Sequence, residues 1–154
     1  MTYSTAISLP EDVRAFLEPL DGAKRTGCDR LISLMVAATG SPPTMLGPSI
    51  IGFGTYDYRY ESGREGASCA LGFSPRAKEF SIYLSPHHVG GYEAWDDLLA
   101  PLGKYRVGKG CLYLKDPLAV PSEALSALFA ASLDALRSSP VVVGLHLGEV
   151  RTEE

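Results

Sequence analysis

Ser49-Ile50-Ile51-Gly52-Phe53-Gly54-Thr55-Tyr56-Asp57-Tyr58-Arg59-Tyr60-Glu61 is the stretch on which the fold turns. Its β-branched and aromatic residues suit a pleated, half-buried surface. Ile51 and Phe53 alternate in odd register, whereas Tyr56, Tyr58 and Tyr60 alternate in even register. Side chains of a regular strand change face at every residue, so one face cannot hold both sets. The switch falls between Gly52 and Thr55, and glycine at such a switch marks a bulge or a sharp bend. The stretch is therefore expected to be a kinked strand whose tyrosines line the core or a pocket.

Downstream, Ser62-Gly63-Arg64-Glu65-Gly66 reads as a turn. Cys69, Leu71 and Phe73 then alternate, Ser74-Pro75-Arg76 turns again, and Phe80, Ile82 and Leu84 alternate in their turn. Successive strands with short polar connections imply an antiparallel meander. Upstream, Leu31, Leu34, Met35 and Ala38 recur at helical spacing within a helix from about Ala23 to Thr39. Gly40 suits its left-handed C-cap, and Pro42-Pro43 prevents continuation. A first helix opens at Ser8-Leu9-Pro10-Glu11, read as a capping box, carries Val13, Phe16, Leu17 and Leu20, and ends or kinks at Pro19.

Further along, Tyr92 to Leu99 reads as a short helix with Tyr92, Trp95, Leu98 and Leu99 inward, and Cys111 to Lys115 as a fourth strand. A long helix spans Ser122 to Arg137, with Leu125, Leu128, Phe129, Leu133 and Leu136 on its apolar stripe. Val141 to Val150 reads as a terminal strand that pairs with the sheet or with a second subunit, so a homodimer through it is a candidate contact. The expected fold class is α+β: one domain over residues 1–154, an antiparallel sheet of about five strands with helices packed on one face.

Composition narrows the function classes. The net charge is -4 and the pI about 5.4, with no basic stripe of the kind that tracks a phosphate backbone, so no nucleic-acid partner is expected. No apolar run approaches the roughly 18 residues that cross a bilayer, and the first ten residues lack a basic-then-apolar leader. No membrane partner and a cytoplasmic location follow as expectations. The three cysteines, Cys28, Cys69 and Cys111, have neither metal spacing nor an even count for disulfides, and are read as small core residues.

Candidate chemistry is sparse. Gly103-Lys104-Tyr105-Arg106-Val107-Gly108-Lys109-Gly110 has the glycines and lysine of a phosphate loop. It lacks the following Ser or Thr, and a helix precedes it where a strand is required. Its charge is still notable: Lys104, Arg106, Lys109 and Lys115 form the densest basic stretch of an acidic chain. His87-His88 with Asp96 and Asp97 nearby, and Glu11, Asp12, Glu18 and Asp21 on the first helix, are candidate ligands for a hard or borderline cation. No G-x-S-x-G elbow is present, and no recognisable triad.

The motifs also resemble a known family. Met45-Leu46-Gly47-Pro48-Ser49-Ile50-Ile51-Gly52-Phe53-Gly54-Thr55-Tyr56 is similar to the signature of the YdhG-like domains of unknown function. Tyr58-Arg59-Tyr60, Ser62-Gly63-Arg64-Glu65-Gly66, Gly72-Phe73-Ser74-Pro75-Arg76, Leu102-Gly103-Lys104 and Gly108-Lys109-Gly110-Cys111-Leu112-Tyr113-Leu114-Lys115 extend the likeness, which runs from about Val13 to Arg137. It implies a frataxin-like domain with helices on an antiparallel sheet, one branch of which is linked to iron delivery. It supplies no catalytic residues. The first helix lacks a dense acidic ridge, and the strand at residues 141–150 is extra.

These readings converge on a non-enzymatic binding domain for a small anionic ligand or a protein partner, without a cofactor. Tyr56, Tyr58, Tyr60 and Tyr83 would form a wall, and Lys104, Lys109 and Lys115 the cationic anchors. One alternative is an intracellular iron-binding chaperone using Glu11, Asp12, Glu93, Asp96 and Asp97. The other is an enzyme whose site is assembled only in space.

Overall fold

The structure, a computed structural model, describes residues 9–108 and 110–148. Helices α1 (Glu11–Leu17) and α2 (Gly22–Thr39) open the chain. Pro10 occupies the N-cap of α1 and makes no side-chain capping bond; Ser8, the expected cap, lies outside the described residues. Helix α1 stops at Leu17, two residues before Pro19, as the missing N–H of proline requires. Helix α2 ends on Gly40 at φ 69°, with the Gly40 N–H donating to the Val36 carbonyl.

Seven antiparallel strands follow: β1 (Pro43–Leu46), β2 (Ile50–Arg59), β3 (Glu65–Pro75), β4 (Phe80–Tyr83), β5 (Arg106–Val107), β6 (Cys111–Leu114) and β7 (Val142–His146). Their order is β1-β2-β3-β4-β6-β5, and β7 also pairs with β2. The N-terminal half of β2 takes β1, through Phe53, and its C-terminal half takes β7, from Thr55 on. The expected α+β class holds. Among the described residues seven strands replace about five, because β1 starts on the second proline of a pair that reads as a break and β5 is two residues long.

Between β4 and β5 the chain makes a short 3-10 turn (Pro86–Val89), a second one (Tyr92–Trp95), helix α3 (Asp96–Leu99) and a third turn (Ala100–Leu102). Trp95 and Leu99 of this run are buried as expected. Helix α4 (Ser122–Arg137) occupies the expected span.

The core lies between the sheet and the pair α2 and α4. Cys28, Leu31, Ile32, Met35 and Val36 of α2, and Leu125, Leu128, Phe129, Leu133 and Leu136 of α4, meet Ile51, Phe53, Leu71, Phe73, Phe80, Ile82, Leu112 and Leu114. Phe53 and Phe73 stack at 6.4 Å with an interplanar angle of 18°. Full burial of each such side chain stabilises the fold by about 1.5–3 kcal/mol relative to exposure.

The bend in β2 is real and has one origin. Gly54 sits at φ +70°, in the left-handed region. The β2–β3 ladder pairs Phe53 with Leu71 and Thr55 with Cys69 but skips Gly54 and Ala70, so both strands step together and the register is kept. Through this step Ile51, Phe53 and Tyr56 all join one core, which an unbroken alternation forbids.

Strand β7 is used within the sheet of the same chain. A register shift between Asp57 and Tyr58 leaves Val143 unpaired and 58% exposed, while Val142 and Leu145 pack against the core. The expected alternation through Val141, Val143, Leu145 and Leu147 is thus broken by a bulge, a device that also blunts an edge strand. Val150 and the end of the expected strand lie outside the described residues. Among the described residues, no helix is long and apolar enough to cross a membrane.

Candidate functional site: a groove beside the end of the fourth strand

Strand β4 ends at Tyr83, paired with Gly72, whereas β3 reaches back to Glu65 and so runs on past its neighbour. The gap beside β3 is bordered by the segment that follows β4. Here lies a half-open groove of about 320 Å³, lined by Leu46, Ile50, Tyr56, Ser68, Cys69, Tyr83, Leu84, Ser85, His87 and Gly110. Beneath two of its wall residues, Gly52 and Gly72 face each other across β2 and β3 and carry no side chains. Leu46 and Cys69 lean over them instead: a methyl group on Gly52 would come within 2.6 Å of Leu46 and 3.1 Å of Cys69, and one on Gly72 within 3.1 Å of the Cys69 sulfur.

The rim is anchored to the helix layer. The Ser85 N–H donates to Ser132 Oγ of α4 at 2.9 Å, and the Leu84 N–H donates to the Gly110 carbonyl at 3.2 Å. His88 Nδ1 shares a hydrogen bond of 2.8 Å with Ser139 Oγ just beyond α4, and its ring meets Tyr56 edge-on at 5.7 Å. The His87 and His88 rings lie 4.1 Å apart, tilted by 45°.

Protonation follows burial. Burial pushes the Tyr56 phenol up, partly offset by hydrogen bonding with the Ser68 and Ser85 hydroxyls. Burial likewise raises the Cys69 thiol. It lowers His87, and it holds His88, with help from the neighbouring His87, down at about 4. Near neutral pH the groove therefore offers a phenol, two hydroxyls, a protonated thiol and a neutral imidazole. Among the described residues, no carboxylate, lysine or arginine lines it.

The expected site residues are not gathered in one place. Tyr56 and Tyr83 share the groove. Tyr58 and Tyr60 continue from Tyr56 as a row of rings at 6.1 and 5.3 Å, and Tyr60, at its end, is 37% exposed. Lys115 lines a different groove, Lys104 is exposed in the loop before β5, and Lys109 lies outside the described residues. Cys28 is buried as expected, but Cys69 and Cys111 are only half-buried: the step at Gly54 and Ala70 turns Cys69 out of phase with core Leu71 and Phe73, and Cys111 alternates with core Leu112 and Leu114.

In the sequence His87 reads only as a candidate cation ligand and Cys69 as a core residue, and Ser68 and Ser85 are missed. These four have no mutual spacing pattern and meet because β4 is shorter than β3.

Of the acidic candidates, Glu11 pairs with Arg14 at 3.0 Å and the Asp12 carboxylate accepts from the Val13 N–H. His146 bonds Asp57 at 2.8 Å across β7 and β2. Among the described residues no three His, Cys, Asp or Glu side chains converge as a metal site.

Comparison with protein-family models, with curated proteins and with solved structures finds no match to this chain. Its function is read from its own geometry.

Proposed function

We propose that the protein is a binding domain whose groove between Leu46, Ile50, Tyr83 and His87 takes a small, mainly apolar, uncharged ligand. The observation that carries this reading is the groove's composition: apolar and aromatic walls with a few converging polar groups, the usual make-up of a small-molecule site. An ionised ligand held there would lose water without gaining an opposite charge, which is costly. The ligand expected from the sequence is anionic, held by lysines; a neutral one is proposed instead because none of the described lining residues is charged, with Tyr56 and Tyr83 offering ring surface and Ser68, Ser85 and His87 offering hydrogen bonds.

Binding is favoured over catalysis by the state of the titratable groups. A cysteine nucleophile needs a lowered pKa or a partnered base, and Cys69 is shifted the other way by burial. The test is native mass spectrometry on protein purified under mild conditions, beside an Ile50→Trp variant that fills the groove. The reading predicts a co-purifying small molecule, or a hit from a neutral fragment library, that the variant does not retain. Equal retention by an equally folded variant would remove the groove from the account.

A further inference from the structure

A second groove lies where α2 begins and β4 and β6 meet their turns. It holds about 130 Å³ and is lined by Ala23, Lys24, Arg76, Ala77, Lys78, Glu79, Phe80, Lys115 and Asp116. At about 30 Å³ per water, that is room for a single tetrahedral oxyanion and part of its hydration.

Its charge is the notable feature. Among the described residues seven Lys or Arg side chains make no ion pair, and four of them, Lys24, Arg76, Lys78 and Lys115, line this one groove of an acidic chain. They come from three separate parts of the chain: the first turn of α2, the β3–β4 turn and the residue after β6. The two acidic residues beside them are engaged elsewhere. Glu79 is ion-paired with Arg106, and the Asp116 carboxylate accepts the Leu118 N–H at 3.0 Å. The cations' own bonds leave their charge uncompensated: Lys24 Nζ donates weakly to the Ala77 carbonyl at 3.5 Å, and Arg76 donates to Tyr83 Oη at 3.2 Å.

Bringing four like charges together costs stability unless something offsets it. Helix α2 carries Lys24 in its first turn, where the helix dipole favours an anion; the nearest acid of the helix start is the N-cap residue Asp21, which makes no side-chain capping bond. Such local violations concentrate at functional sites.

We infer that this groove binds a phosphate group, free or as the phosphate of a small ester. Lys115 and Lys78 would act as point charges, and Arg76 would present its planar fork. The site shares no lining residue with the first groove, and the Arg76–Tyr83 hydrogen bond joins the two.

The experiment is a titration of the full chain with inorganic phosphate, followed by two-dimensional amide NMR, against acetate at equal ionic strength. Saturable phosphate shifts are expected at the amides of Ala23, Lys24, Ala77, Lys78 and Asp116, with acetate weaker. Lys115→Gln should weaken phosphate binding about tenfold, the size of a lost charge-assisted hydrogen bond. Arg64→Gln, in the β2–β3 turn, should change it less than about twofold. Thermal melts establish that both variants fold. Non-saturating shifts, equal responses to phosphate and acetate, or equal losses in Lys115→Gln and Arg64→Gln would each overturn the assignment.

Discussion

Replacing Gly54 with alanine tests the bend on which the whole sheet depends. A non-glycine residue at φ +70° costs about 1–2 kcal/mol in local sterics alone. The added methyl would also meet Leu147 Cδ2 at 2.8 Å, the His146 carbonyl at 3.1 Å and Ser41 Oγ at 3.3 Å. Leu147 can swing aside, but the His146 carbonyl belongs to β7 and moves only with its strand. Overpacking of this kind adds about 1–3 kcal/mol. The sum is a loss of about 2–5 kcal/mol, and at about 2–4 °C per kcal/mol for a chain of this size the melting temperature should fall by roughly 4–20 °C. Urea unfolding followed by circular dichroism measures the loss directly. A destabilisation below about 0.5 kcal/mol, the level of an ordinary surface substitution, would show that the strand does not need a left-handed residue there.

Three further outcomes follow from the groove and its rim. His88 is held at about 4, against about 6.5 in an unfolded chain, so between those values the unfolded state binds more protons and stability must rise with pH. The His88 contribution is complete above about pH 6.5 and is lost as pH falls toward 4, and His88→Gln should flatten urea midpoints measured across that window. Ser132→Ala removes the acceptor of the buried Ser85 N–H and should cost about 1–3 kcal/mol in urea unfolding; a neutral result would mean that Ser85 finds another partner. Thiol labelling of the folded protein near pH 8 should spare Cys28, which is fully buried with its pKa raised to about 12. Cys69 should label more slowly than a free thiol, and equal rates for Cys28, Cys69 and an unfolded control would refute that order.

The parts of the fold legible in the sequence are those fixed by local chemistry. The glycine-marked switch in β2 gave the bend, alternation gave β3, β4 and β6, and the apolar stripe of α4 gave its full length. Strand β1 was not legible because it begins on a proline and its Thr44, Met45 and Leu46 do not alternate, and β5 because two residues carry no period. The bulge in β7 was hidden for a different reason: it depends on how Val143 meets β2, not on the local run of valines. The candidate sites are less legible still. Tyr56 and Tyr83 do share a groove, but its width follows from the length difference between β3 and β4, and its polar lining from side chains scattered between positions 68 and 87. Lys115 lies apart from these tyrosines, and its companions are Lys24, Arg76 and Lys78, brought together by α2 and the β3–β4 turn.

The account stands or falls on whether the first groove binds small neutral molecules. Amide NMR of the labelled protein against a library of uncharged aromatic fragments measures this most directly. Saturable shifts should cluster at Leu46, Ile50, Ser68, Cys69, Tyr83, Ser85 and Gly110, and should vanish in the Ile50→Trp variant. Hits confined to the channel between α2 and α4, around Leu34, Ala38, Ala130 and Leu133, or no saturable hit at all, would contradict it.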